Sequence, residues 1–153
     1  MAFANDLGTL QRLGLPPIDQ VGFVVGDLER SIARYDALFG PFRVGEATIE
    51  GADHRGVQAD VRLAIAIGRS GDLEIELIQW KSGDSPHREF TESGREGMHH
   101  VRFRVDDCAG WIAKLAAIGY AVVWRKVYSK EIEFAYLERP GDPLIVELLQ
   151  LRI

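Results

Sequence analysis

The chain of 153 residues carries a formal net charge of −5 and is 46% hydrophobic. That is enough apolar material for one packed domain, or two small halves sharing a core, and it argues against disorder. Acids and bases are interspersed rather than blocked, which argues against nucleic acid or an anionic membrane as partner, and a single cysteine, Cys108, excludes an intrachain disulfide and fits a reducing cytoplasm.

The N-terminal stretch has no basic region followed by a long apolar run, and no apolar stretch reaches transmembrane length, so a cytoplasmic protein is expected. Residues 1–17 read as an extension, with a short amphipathic helix over Leu7–Leu15 ended by Pro16 and Pro17. From Gln20, "QVGFVVGDLERSIARYDAL" reads as a strand, an Asp27 N-cap and a helix whose apolar stripe is Leu28, Ile32, Tyr35 and Phe39, with Gly40 as C-cap. A weaker strand follows over 42–49, then strand, turn and strand in "VRLAIAIGRSGDLEIELIQ" from Val61. Residues 81–97, rich in Ser, Gly and charge, read as a connection.

The pattern then repeats. "HVRFRVDDCAGWIAKLAAI" from His100 matches the first copy at Val21/Val101, Phe23/Phe103, Val25/Val105, Asp27/Asp107, Ile32/Ile112 and Ala33/Ala113. Its helix has the stripe Cys108, Ile112 and Leu115, with Gly119 as C-cap, and a weaker strand is expected over 120–128. "IEFAYLERPGDPLIVELLQ" from Ile132 mirrors the hairpin of the first half. Two βαβββ modules, 18–80 and 98–153, thus predict one compact α+β domain: an eight-stranded mixed sheet curled into a cup, with helices on its outer face.

Strand alternation selects the inner wall. The repeat pairs Gln20 with His100 and Glu76 with Glu147, giving one nitrogen and three oxygen donors suited to Zn²⁺, Ni²⁺, Co²⁺, Mn²⁺, Fe²⁺ or Mg²⁺. Glu147 carries the most weight, because its same-face neighbours Ile145 and Leu149 are apolar and a buried unpaired carboxylate costs several kcal/mol. Glu76 shares its parity with Glu74, which also suits a solvated strand face. His99 has the opposite parity to His100, so one of the pair is expected inside. Arg102 and Arg104 share the parity of His100 and would make the cup cationic, suited to an anionic substrate group, although Arg104 also reads as a solvated strand end. Arg62 and Glu133 are repeat mates on the third strands, as pocket residues or as a pair with each other. Trp80, Trp111 and Trp124 read as core or interface.

With "IDQVGFVVGDLERSIARYDALFG", "GDLEIELIQW", "GMHHVRFRVDD" and "DPLIVELLQ" in place, the sequence resembles the vicinal oxygen chelate superfamily over about Ile18 to Gln150, in its glyoxalase I and methylmalonyl-CoA epimerase-like branch. The resemblance implies a divalent metal held by Gln20, Glu76, His100 and Glu147, and a homodimer. Gln20 stands where an extradiol dioxygenase has a histidine, which disfavours ring cleavage. The set is similar to that of zinc-type glyoxalase I, whereas the epimerase has His, Gln, His and Glu. Arg62 stands where the epimerase has its second carboxylate, which Glu133 would supply from the other half. The implied activity is proton transfer α to a carbonyl of a small anionic or thioester substrate, by an isomerase, epimerase or lyase, with Glu147 as base and Glu76 as its symmetric alternative. Arg62, Arg102 and Arg104 would bind the substrate. The alternative is a non-catalytic binding or sequestering protein of the bleomycin-resistance type.

Overall fold

The computed structural model of the protein describes residues 12–153. Most of the helix expected over Leu7–Leu15 lies outside the described residues, and residues 12–15 have no regular structure. The elements run β1 (Ile18–Val24), α1 (Leu28–Phe39), β2 (Arg43–His54), β3 (Val57–Ser70), β4 (Leu73–Ser82), α2 (Pro86–Glu92), β5 (Gly97–Val105), α3 (Cys108–Ala116), β6 (Ala121–Val127), β7 (Ile132–Glu138) and β8 (Ile145–Leu151). The eight strands close into a barrel in the order β1-β4-β3-β2-β6-β7-β8-β5. β1 pairs with β4 and β5 with β8 in parallel; the other neighbours are antiparallel. Among the described residues no helix is long and apolar enough to cross a membrane.

Alternation along the strands sorts the apolar residues into three clusters. Val25, Leu28, Ala64, Ala66 and Leu77, with Phe23, Ile32 and Tyr35, fill the space between α1 and its sheet. Val105, Cys108, Leu115, Ala135, Leu137 and Leu148 do the same beneath α3. Inside the barrel stand Val24, Val61, Leu63, Ile78, Trp124 and Tyr136 among others. The helices therefore lie where the sequence places them, outside the wall.

The repeat extends to the helix starts. Asp27 Oδ1 accepts from Arg30 N and Asp107 Oδ1 from Gly110 N, both at 3.0 Å. One residue beyond each aspartate, a glutamine from the last strand of the same half accepts the next free N–H: Leu28 N donates to Gln79 Oε1 and Cys108 N to Gln150 Oε1, both at 2.9 Å. The far ends differ. Gly40 caps α1, but α3 stops at Ala116 with Ala117 as its cap, and Gly119 takes the positive φ of 96° after it.

Two features go beyond the sequence reading. The connection over 81–97 contains a helix, α2, started by Ser85 Oγ accepting from Arg88 N and by Pro86 in the first turn. Its buried His87 and Phe90 reach the aromatic residues inside the barrel, so α2 closes one end instead of lying on the outer face. The second is the brevity of the β2–β6 pairing that closes the ring, which registers only Asp53 with Arg125 and His54 with Trp124. Arg55, at φ 52° in the following turn, braces this seam with hydrogen bonds to Glu89 of α2 and Glu138 of β7.

Replacing Gln150 with leucine would strand the buried Cys108 N–H and the Lys130 carbonyl that the glutamine Nε2 serves. Urea unfolding should show a loss of about 1–3 kcal/mol, with the barrel's circular dichroism signature retained.

Candidate functional site

Neighbouring ladders place donor side chains side by side on the inner wall. Across β4, β1, β5, β8 and β7, Glu74, Gln20, Arg102, Glu147 and Tyr136 stand opposite one another in sequence. One pleat away, Glu76, Gly22 and His100 form the adjoining row. Gly22 is required there: a Cβ on it would lie 2.1 Å from the His100 ring.

Three side chains converge on one atom of a fourth. His100 Nε2 is 3.2 Å from Glu147 Oε2, 3.5 Å from Glu76 Oε1 and 3.2 Å from Gln20 Oε1. Gln20 Nε2 donates to Glu74 Oε1 at 2.6 Å, which turns the amide oxygen toward the imidazole. His100 and Gln20 are buried, and Glu147 is 9% exposed. Burial alone would push the His100 imidazole down, but its hydrogen bonds to Glu147 and Glu76 outweigh that and lift it to about 9.

A cavity of about 110 Å³ adjoins the cluster. Gln20, Glu76, Glu147, Arg102 and Tyr136 form its polar wall, and Ile49, Leu63, Ile65, Ile78, Trp124 and Phe134 its apolar one. Burial, followed by the neighbouring Glu147 and Glu76, drives the Tyr136 phenol well above its ordinary range, so it stays a neutral hydroxyl.

The electrostatics differ from the cationic cup read from the sequence. Arg102 is there, but Asp19 accepts from its Nε and Nη2 at 2.9 and 3.1 Å, and Glu74 lies 3.7 Å away. Arg104 is exposed on its strand. Arg62 shares the parity of Ala64 and Ala66, beneath α1, and its exposed guanidinium pairs with Glu46 at 3.3 Å outside the cup. Glu133 has the parity of Ala135 and Leu137 and pairs with Arg125 rather than with Arg62. The wall around His100 is therefore dominated by carboxylates.

His99 was expected to point away from His100's side of the sheet. The β1–β5 ladder pairs Gly22 with His100 but Phe23 with Met98, leaving His99 as the extra residue of a bulge. A bulge suspends strict alternation. Both imidazoles are buried, with Nδ1 to Nδ1 at 3.0 Å, and His99 stacks on His87 at 5.2 Å between ring centroids. His87 Nε2 in turn meets the Tyr136 hydroxyl at 3.3 Å. Asp19, Glu74, His87 and Tyr136 were not singled out from the sequence. Two of them carried a usable signal in strand parity, Glu74 shared with Glu76 and Tyr136 shared with Phe134.

Among the described residues no group of three or more His, Cys, Asp or Glu forms a ready-made cage for a metal ion. The chemistry and spacing of the four donors nevertheless fit one. Two ligands about 2.1 Å from a small divalent ion, at right or tetrahedral angles, stand about 3.0–3.4 Å apart. The three oxygens lie close to that spacing from His100 Nε2, and two carboxylates crowded about one imidazole need positive charge.

A family model described as the Glyoxalase/Bleomycin resistance protein/Dioxygenase superfamily matches residues 19–136. The hypothetical protein BH1468 from Bacillus halodurans C-125 superposes with a TM-score of 0.64 at 19% identity, covering 90% of this chain and 95% of that one. Methylmalonyl-CoA epimerase from Mycobacterium tuberculosis superposes with a TM-score of 0.63 at 19% identity, covering 95% of each chain. The uncharacterized protein YqjC of Bacillus subtilis (strain 168) is 24% identical over 86 residues, 56% of this chain, and the match spans about half of that relative, 55% of its length.

Burial holds His87 down at about 3 in the folded protein, against 6.5 when solvated. Below pH 6.5 the unfolded chain binds a proton that the folded one refuses, so this contribution to stability is complete above pH 6.5 and is lost as pH falls toward 3. The slope is about 1.4 kcal/mol per pH unit. Urea unfolding from pH 7 to 4 should show a shallower acid limb in His87→Gln, whose amide can still reach Tyr136 but does not titrate.

Proposed function

The chain belongs to the glyoxalase, bleomycin resistance protein and dioxygenase superfamily, and from that footing we propose that it is a divalent-metal-dependent enzyme that moves a proton α to a carbonyl. The observation that carries this reading is the convergence of Gln20, Glu76 and Glu147 oxygens on His100 Nε2 beside a cavity. These four residues would hold the ion. When bound, a divalent ion there supplies the Lewis acidity that polarises a carbonyl oxygen and acidifies the adjacent C–H.

The remaining roles fall to the chain. Glu147 lines the cavity and is the first choice for the base that takes the α-proton; Glu76, its repeat mate, lines the same cavity and is the alternative. Gln20, held by Glu74, has no acid–base role and would serve as a fixed neutral oxygen ligand. Ile49, Leu63, Ile65 and Phe134 exclude water and suit a short aliphatic group next to the reacting carbon. Arg102 is the cation that faces this cavity, and Asp19 already offsets much of its charge, so it orients a carbonyl or thioester more readily than it balances a full anion. Arg62 and Glu133 have no role in this scheme, because their ion pairs lie away from the cavity. Isomerase, epimerase and lyase reactions all begin with this proton abstraction. A homodimer, carried by the family resemblance, and a cytoplasmic location, carried by the lone Cys108, remain part of the proposal.

Metal analysis of the purified protein before and after chelation, with His100→Ala and Glu147→Gln alongside, tests the reading together with α-proton exchange of carbonyl substrates in D₂O. Near-stoichiometric metal is expected, weakened in both variants, and Glu147→Gln should lower exchange by about 10²–10⁴-fold while unfolding at nearly the wild-type temperature. Preserved exchange in that variant removes Glu147 as the base. Metal binding without exchange on any carbonyl substrate favours the sequestering protein, and failure to bind any divalent ion rejects the metal site.

A further inference from the structure

The geometry points to His99 as the positioning residue that fixes how His100 presents Nε2 to a cation, by accepting the proton of His100 Nδ1; this rests on the metal reading proposed above. The two Nδ1 atoms are 3.0 Å apart and both side chains are buried, so one proton must lie between them. A cation on Nε2 takes that nitrogen's lone pair, which leaves the ring proton of His100 on Nδ1. The atom it meets is His99 Nδ1. His99 must then carry its own proton on Nε2.

Three features hold His99 ready for this role. The β-bulge at Met98–His100 turns it toward its neighbour instead of across the sheet. Its ring is clamped between His87, stacked at 5.2 Å, and Phe90, edge-on at 5.0 Å, which prevents rotation about χ2. Among the described residues its Nε2 has no hydrogen-bond partner, but the Pro86 carbonyl lies beside the ring, and His99 also lines a polar cavity of about 210 Å³ with Glu89, Arg95, Glu138 and Asp142. The Pro86 carbonyl is thus the acceptor at hand for a proton carried by the His99 ring. A metal-holding histidine whose second nitrogen is fixed in this way keeps both its tautomer and its ring angle.

The test uses Zn²⁺ on the full chain. Its affinity is measured by competition calorimetry for wild type, His99→Phe and His99→Asn, with circular dichroism melts to establish folding. Imidazole protons are located in the ¹⁵N-labelled wild type, with and without Zn²⁺, from long-range ¹H–¹⁵N correlations. His99→Phe keeps the packing and removes the acceptor, so affinity should fall about 10- to 100-fold. The amide of His99→Asn stands where Nδ1 stands and should restore affinity to within a few-fold of wild type. In Zn²⁺-loaded wild type the His99 proton should be on Nε2 and the His100 proton on Nδ1. A folded His99→Phe protein that binds Zn²⁺ as tightly as wild type overturns the inference, as does a His99 proton on Nδ1 in the loaded protein. If His99→Phe does not fold, the tautomer measurement decides alone. Wild type that binds neither Zn²⁺ nor Ni²⁺, Co²⁺, Mn²⁺, Fe²⁺ or Mg²⁺ defeats the metal reading and this inference with it, whereas Zn²⁺ binding that ignores position 99 defeats only the role of His99.

Discussion

Everything about this barrel is arranged around the cost of one buried constellation, an imidazole and two carboxylates brought within 3.5 Å inside a wall of apolar side chains. Charges removed from water at that proximity are tolerable only when they neutralise each other and their remaining lone pairs are engaged. Adjoining parts of the structure meet those conditions in turn. Gly22 gives the His100 ring its space, Glu74 orients the Gln20 amide, Asp19 restrains Arg102, and the His99–His87–Tyr136 chain backs the imidazole from behind. The inner apolar residues line the cavity beside the cluster and limit its contact with bulk water.

The duplicated βαβββ unit explains how one chain brings such residues together from positions up to 127 residues apart. Each half supplies one residue from its first strand and one from its last, and the β1–β5 ladder joins the two halves where those strands run side by side. The same symmetry recurs at Gln79 and Gln150, which stitch each helix start to the final strand of its own half. Those glutamines lie three residues beyond Glu76 and Glu147, on the outward parity. A single short strand therefore serves the site on one face and the helix on the other. That division of labour is what alternation makes possible.

Strand parity and the repeat made the barrel and the convergence of Gln20, Glu76, His100 and Glu147 legible in the sequence. Apolar neighbours Ile145 and Leu149 marked Glu147 as inward, and the structure packs both against the interior cluster. Parity also held the answer for Arg62 and Glu133, since Ala64, Ala66, Ala135 and Leu137 beside them are helix-facing. The repeat made those two look like site residues when their strands turn them outward. What parity cannot reveal is an interruption of parity. The bulge that places His99 against His100 leaves no mark in a run of alternating residues, and α2 disguised itself as a polar connection because its buried face consists of only Pro86, His87 and Phe90.

The order of the strands carries a consequence for how the molecule assembles. Within each half the antiparallel pairings are hairpins close in the chain, from β2 with β3 to β7 with β8, and the parallel β5–β8 and β1–β4 pairings join residues 45 and 54 positions apart, whereas the seams β1–β5 and β2–β6 join residues some 70 to 85 positions apart. Closing such long loops is entropically slow compared with forming a hairpin. The constellation around His100 straddles the β1–β5 seam, so neither half by itself possesses the site. On the proposed metal reading, cation affinity would therefore require both halves docked together and would not be acquired with either unit alone.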